Sequence, residues 1–156
     1  MDRRLAQAGG CAIDKEKLNG AAEGFGCHAT TSPVSASSSA TINTPDRARS
    51  EAYYRDVLGL TLVADDGFAA VFDLAGAVLC NTELEGFAAG PHPAPGWMVP
   101  DIVAEMQTLV ARGVTPVIYE GFGQDILGIW TASVGVAKVA WFNGPDGNVL
   151  SLTEAS

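Results

Sequence analysis

Basic residues are scarce in this chain. Lysine and arginine number nine in 156 residues, against eighteen aspartates and glutamates, for a formal charge of -9. A nucleic-acid binder needs a basic face to displace counterions from phosphates, so that class is disfavoured. Docking on an anionic membrane is disfavoured for the same reason. Histidine occurs twice and cysteine three times. Cys11, Cys27 and Cys80 form no CxxC pair and no metal-finger spacing. An odd count without a secretory signal reads as reduced thiols, and a cytoplasmic protein is expected. No Ser-His-Asp set, no HExxH helix and no lysine-bearing phosphate loop stands in the sequence. The apolar runs are broken by glycine, proline or charge before they reach the length of a membrane span. What remains is a chain with 47% hydrophobic and 17% charged residues, enough for a globular core at the size of one domain.

Residues 1–37 differ from the rest. They are rich in Gly, Ala and Ser, contain one aromatic residue, Phe25, and run into Thr31-Ser32-Pro33-Val34-Ser35-Ala36-Ser37. Such a stretch has little apolar surface to offset its ordering entropy, so a disordered tail is expected, with room for a short helix around Ile13 to Leu18. His28, Cys11 and Cys27 fall there. Residues 1–38 carry four basic and four acidic groups, so the whole negative excess belongs to residues 39–156.

From residue 38 the chain reads as one domain, 38–156, made of two similar halves at about 38–85 and 94–156. The first opens with the alternating Ala40-Thr41-Ile42-Asn43. Thr44-Pro45-Asp46 follows, with Thr44 as helix cap, Pro45 at the first helical position and Asp46 in the first turn. That helix passes through Tyr53, Tyr54 and Val57 and stops at Gly59, before strands at Leu60–Ala64, Phe68–Leu74 and Ala77–Asn81. The second half has a strand at Gly96–Val99 and a helix opened by Pro100-Asp101. Its residues Ile102, Met106, Leu109 and Val110 form one apolar stripe. Strands follow at Val114–Tyr119, Leu127–Thr131, Lys138–Phe142 and Val149–Thr153, with a turn over Asn143 to Asn148. Both halves are read as β-α-β-β-β, the second with one strand more, and their Pro-Asp pairs stand 55 residues apart, the spacing of an internal repeat.

Within that repeat lie Tyr53-Tyr54-Arg55-Asp56-Val57-Leu58-Gly59-Leu60 and Trp141-Phe142-Asn143-Gly144-Pro145-Asp146-Gly147-Asn148. On these segments the chain resembles the vicinal oxygen chelate superfamily, which includes glyoxalase I, bleomycin-resistance proteins and extradiol dioxygenases. The resemblance implies an α+β fold, two tandem βαβββ modules forming a curved mixed sheet around a cleft, with helices outside and a homodimer as the usual assembly. It also implies where a metal would sit, because metal-using members carry His, Gln or Glu on the first and last strands of each half. Counted from the two Pro-Asp pairs and the two turns, those positions hold Ser39, Cys80, Ala94 and Ser151. Neutral hydroxyls, a methyl and one thiol do not make a divalent-metal site, so no metal and no cofactor is expected. His92, in Gly90-Pro91-His92-Pro93, lies two residues before Ala94 and reaches the cleft only through a register shift.

The expectation is therefore a protein that sequesters a small drug-like or aromatic molecule. The alternative is a metal-dependent lyase, isomerase or dioxygenase, in which no catalytic residue can be assigned. By strand parity the cleft receives Thr41, Asn43, Met98 and Ser151, with Cys80 at the matching place in half one. Trp97 and Val99 turn instead towards the helix. Trp97, Trp130 and Trp141 serve as core filling or as stacking surfaces, and Trp130, after the polar Gln124-Asp125, is the best placed to stack. Asp125 beside Gln124 reads either as a solvated loop or as an acid that meets a cationic ligand or acts as a base. The ligand-binding set expected is Thr41, Asn43, Cys80, Met98, Gln124, Asp125, Trp130 and Ser151.

Overall fold

A computed structural model describes residues 38–133, 135 and 137–155. The tail expected over 1–37, its short helix and its Cys11, Cys27 and His28 lie outside the described residues. The first half comprises β1 (Ser38–Thr44), α1 (Arg47–Ala52), β2 (Leu62–Asp65), β3 (Ala69–Asp73) and β4 (Ala77–Glu83). The second comprises β5 (Pro93–Met98), α2 (Ile102–Ala111), β6 (Ile129–Thr131), β7 (Ala137–Asn143) and β8 (Val149–Ala155). Each half forms a four-stranded sheet, ordered β1-β4-β3-β2 and β5-β8-β7-β6. In each, the first strand runs parallel to the last and the remaining pairs are antiparallel. The α+β fold with two matching modules is thus present.

The helix starts differ in detail from the sequence reading. Asp46, not Thr44, caps α1, its carboxylate accepting from Arg49 N at 3.1 Å, while Pro45 stays outside the helix. Thr44 Oγ1 accepts from Asp46 N at 3.0 Å, which fixes the entry turn. Asp101 caps α2 in the same way, accepting from Ala104 N at 3.0 Å. A carboxylate at this position satisfies an orphan N–H and favours the positive end of the helix, which explains why both halves carry it. After Ala52 the first helix widens into a π-helical turn over Tyr53–Val57. Tyr54 is fully buried there, its ring 5.8 Å from that of Phe72, while Tyr53 is half-buried.

The strand expected at Val114–Tyr119 does not form. Only an isolated bridge joins Pro116 to Phe142, with Val117 N donating to Trp141 O at 2.7 Å. Pro116 has no N–H to extend a ladder. The Gln124 amide takes over the partners a strand would have used: its Oε1 accepts from Tyr119 N at 2.7 Å. Its Nε2 donates to Val117 O at 3.0 Å and to Gly128 O at 2.6 Å.

One apolar core runs through both halves and includes Ile42, Tyr54, Phe72, Leu79, Ile102, Met106, Phe142 and Leu150. The α2 stripe buries Ile102, Met106 and Leu109, but Val110 stays partly exposed at the stripe's margin. The turn over residues 143–148 clasps the halves together. Tyr53 OH donates to Asn143 O at 3.1 Å, and Asn148 Nδ2 donates to Asn43 O at 2.9 Å. Asp146, with only 1% of its side chain accessible, pairs with Arg49 of α1. Burial pushes the Tyr53 phenol up to about 12, and Tyr54 higher still, so both stay neutral at the junction.

Glu154 of β8 ties the second sheet to its helix. It accepts from Lys138 Nζ at 2.6 Å and from Ile102 N at 2.9 Å, at the start of α2. The Lys138 hydrogen bond first, and the Ile102 N–H second, hold its carboxyl below the ordinary value of 4.5. A pKa lowered by folding means stability that is complete above the ordinary value and lost as pH falls through the folded one. Glu154→Gln is therefore expected to flatten the acid limb of the melting-temperature curve below that ordinary value. Parallel curves for the two proteins would contradict it.

Candidate ligand-binding face

Register decides which side chains share a face. In the first sheet Thr41 lies opposite Cys80, which lies opposite Val71, while Ser39 pairs with Val78 and Asn43 with Thr82. Their neighbours Ile42, Leu79 and Phe72 belong to the core beneath the helices. The first set therefore forms the helix-free face. Cys80 is buried there against Val71 and Val78, in a small cluster separate from the main core. Thr41 is exposed and Asn43 half-buried, its carbonyl engaged by Asn148.

The second sheet offers two rows on its helix-free face. Gly96, Ser151 and Trp141 lie side by side in one; Met98, Thr153, Val139 and Trp130 form the next. Trp97 and Leu152 alternate with them and pack on the core. Met98 is 69% exposed, which is high for a large apolar side chain on a strand. Strands β1 and β5 touch, so the two helix-free faces are neighbours.

Trp141 is the centre of an aromatic corner. Its ring centroid lies 5.4 Å from that of Tyr119 and 6.1 Å from that of Phe122, and these two lie 5.6 Å apart. Both contacts to Trp141 are edge-on, at 83° and 86°. Edge-to-face packing leaves ring surface available beside the contact. Phe122 is 52% exposed and Trp130 and Trp141 are half-buried, so the corner is open to solvent.

The structure brings Thr41, Asn43 and Cys80 together on one sheet and Met98, Trp130 and Ser151 together on the other. Gln124 and Asp125 have different duties. Every polar atom of the Gln124 amide bonds backbone, as described above. Asp125 Oδ1 accepts from Leu127 N and Ile129 N, both at 2.9 Å, and so holds the turn into β6. Together they shape the loop that carries Tyr119 and Phe122. Those two aromatics had a signal in the sequence, a spacing of three in the glycine-rich connection, but nothing there showed that they would meet Trp141.

A metal does not fit the positions that the resemblance marks. Among the described residues no group of three His, Cys, Asp or Glu side chains is placed to hold an ion. Ser151 lies so close to β5 that a Cβ on Gly96 would stand 2.2 Å from its Oγ and 2.9 Å from its carbonyl oxygen. Ala94 is exposed, and so is His92, on the segment leading into β5.

No family model and no curated protein matches the chain. Solved structures do match. A glyoxalase family protein from Bacillus anthracis superposes with a TM-score of 0.62 at 12% identity, over 79% of this chain and 97% of that one. The fosfomycin resistance protein FosX from Listeria monocytogenes gives 0.61 at 13%, over 79% and 95%. Lactoylglutathione lyase from Agrobacterium tumefaciens gives 0.55 at 20%, over 78% and 95%. The fold is therefore that of the glyoxalase and bleomycin-resistance proteins, the vicinal oxygen chelate fold.

Proposed function

We propose that this protein binds a flat aromatic, drug-like molecule on the helix-free face of its second sheet and does so without a metal. The observation that carries this reading is the open corner of Tyr119, Phe122 and Trp141, continued by Trp130 and the exposed Met98 thioether. Indole and phenyl faces hold planar ligands by stacking and attract cations through their quadrupoles. An excess of nine negative charges raises the local concentration of such a cation further. The rows that flank the corner contribute Ser151, Thr153 and Thr41, which orient a ligand by hydrogen bonds but supply neither a general base nor Lewis acidity.

Ethidium, a planar cation, is expected to quench the tryptophan fluorescence of the protein, with the anion 1-anilinonaphthalene-8-sulfonate binding at least about tenfold more weakly. Trp141→Leu is expected to weaken ethidium by about tenfold, the size of one stacking contact. Equal affinity for the two dyes, or no effect of Trp141→Leu, would count against the reading. One equivalent of zinc, nickel, manganese or iron in purified protein would overturn its metal-free part and turn attention to a lyase, isomerase or dioxygenase.

We extend the proposal to assembly and place. A homodimer would cover the edge strands β2 and β6 and leave the aromatic corner open. Sedimentation should return twice 16.1 kDa at micromolar concentration, and the monomer mass would refute it. The cytoplasm is the compartment proposed from the cysteine content; among the described residues no helix is long and apolar enough to cross a membrane.

A further inference from the structure

We infer a second small-molecule site, on the helix side of the fold where the two halves join, built for small aromatic amines that carry a hydrogen-bond acceptor on the ring. A cavity of about 200 Å³ opens there, walled by Leu58 and Leu60 after the first helix, Trp97 of β5, Glu105 and Leu109 of α2, and Phe142 of β7. Met98, at the end of β5, borders this cavity as well as the helix-free face, but none of Tyr119, Phe122 and Trp141 lines it. Phe142 alternates with Trp141 along β7, so that strand stands between the cavity and the aromatic corner.

Size and lining set the body of the ligand. An engineered apolar cavity of about 150 Å³ holds benzene, so this one takes a substituted ring. Two polar features set its ends. Glu105 stands three residues after Ile102 and four before Leu109, on the stripe that α2 otherwise buries. An apolar side chain at that position would help to seal the opening; a carboxylate leaves a charged rim that suits an ammonium and repels an anion. The nearby Arg112 guanidinium is committed to the Val57 carbonyl at 2.8 Å and does not line the cavity. The second feature is the Trp97 indole. Its Nε1–H is buried and has no acceptor among the described residues. A buried donor left unpaired is costly, and a ligand that turns the indole enough for its oxygen to meet the N–H recovers that cost. Ring, acceptor and ammonium together describe a phenolic amine.

Calorimetry on the full chain, with tyramine, phenethylamine and 4-hydroxyphenylacetate as probes, separates these contributions. Tyramine should bind best. Phenethylamine, which lacks the acceptor, should bind about fivefold more weakly, and 4-hydroxyphenylacetate, which reverses the charge, at least about tenfold more weakly. Glu105→Gln, a change at an exposed position, should remove the gap between tyramine and the acid while keeping the preference for a phenol. Saturating ethidium should leave the tyramine isotherm unchanged. No heat with millimolar tyramine, equal affinity for tyramine and the acid, or displacement of tyramine by ethidium would each overturn the proposal. Because the site does not use the aromatic corner, failure of the ethidium experiment alone leaves this one standing.

Discussion

Removing Arg49, which is half exposed, is expected to destabilise the protein more than neutralising Asp146, which is buried. The accessible fractions of the two side chains are 54% and 1%. Asp146 gives one oxygen to Arg49, and its Oδ2 is buried without a partner among the described residues. Among the described residues Arg49 is the one cation paired with that buried carboxylate, so Arg49→Ala strips its counter-charge, the situation in which breaking an ion pair is most damaging. Asp146→Asn removes the charge with the pair and leaves Arg49 free to hydrate. The single Arg49 variant should melt several degrees below the Asp146 variant, and combining both changes should recover most of the Arg49 loss. Thermal unfolding of the three proteins checks this. Additive losses in the double variant would reduce the pair to an ordinary surface salt bridge.

Gly128→Val should lower stability by about 3 kcal/mol or more, roughly 10 °C in melting temperature. Two independent costs combine. Gly128 has φ +77°, a conformation that a β-branched residue very rarely adopts. In addition, an added Cβ would stand 2.7 Å from Pro116 Cβ and 3.4 Å from Ile118 Cδ1. Pro116 is anchored by its bridge to Phe142 and has little room to withdraw. The same substitution disturbs the carbonyl that receives Gln124 Nε2, and through it the loop bearing Tyr119 and Phe122. Ethidium affinity should fall along with stability. A variant that melts within about 1 °C of the parent would show that the loop yields freely there, against the packing argument.

How legible this was in the sequence depended on the physical signal involved. The repeat was readable because helix starts and stripes are local: both Pro-Asp pairs mark a helix start, although Asp46 rather than the expected Thr44 is the cap, and Ile102, Met106 and Leu109 follow one helical face. Strand parity was readable for the same reason, and it placed Trp97 and Val99 on the core side correctly. Val114–Tyr119 misled because its apolar residues look like a strand, while the competing partner, the Gln124 amide, lies in the following loop. The aromatic corner was hidden by a different limit. Tyr119, Phe122 and Trp141 come from a loop and a strand about twenty residues apart, and nothing local fixes their ring geometry. The positions Ser39, Cys80, Ala94 and Ser151 could be counted from the turns, but the closeness of Ser151 to Gly96 required coordinates.

The clasp at residues 143–148 has a consequence for the order in which a growing chain becomes complete. Strand β4 ends at Glu83, so every strand of the first sheet has been synthesised well before the turn at residues 143–148. Tyr53 must still wait for Asn143, Arg49 for Asp146, and the Asn43 carbonyl for Asn148. Until some sixty further residues arrive, the nascent first half holds a finished sheet and an unfinished junction, and the same short turn that completes the second module also closes the first.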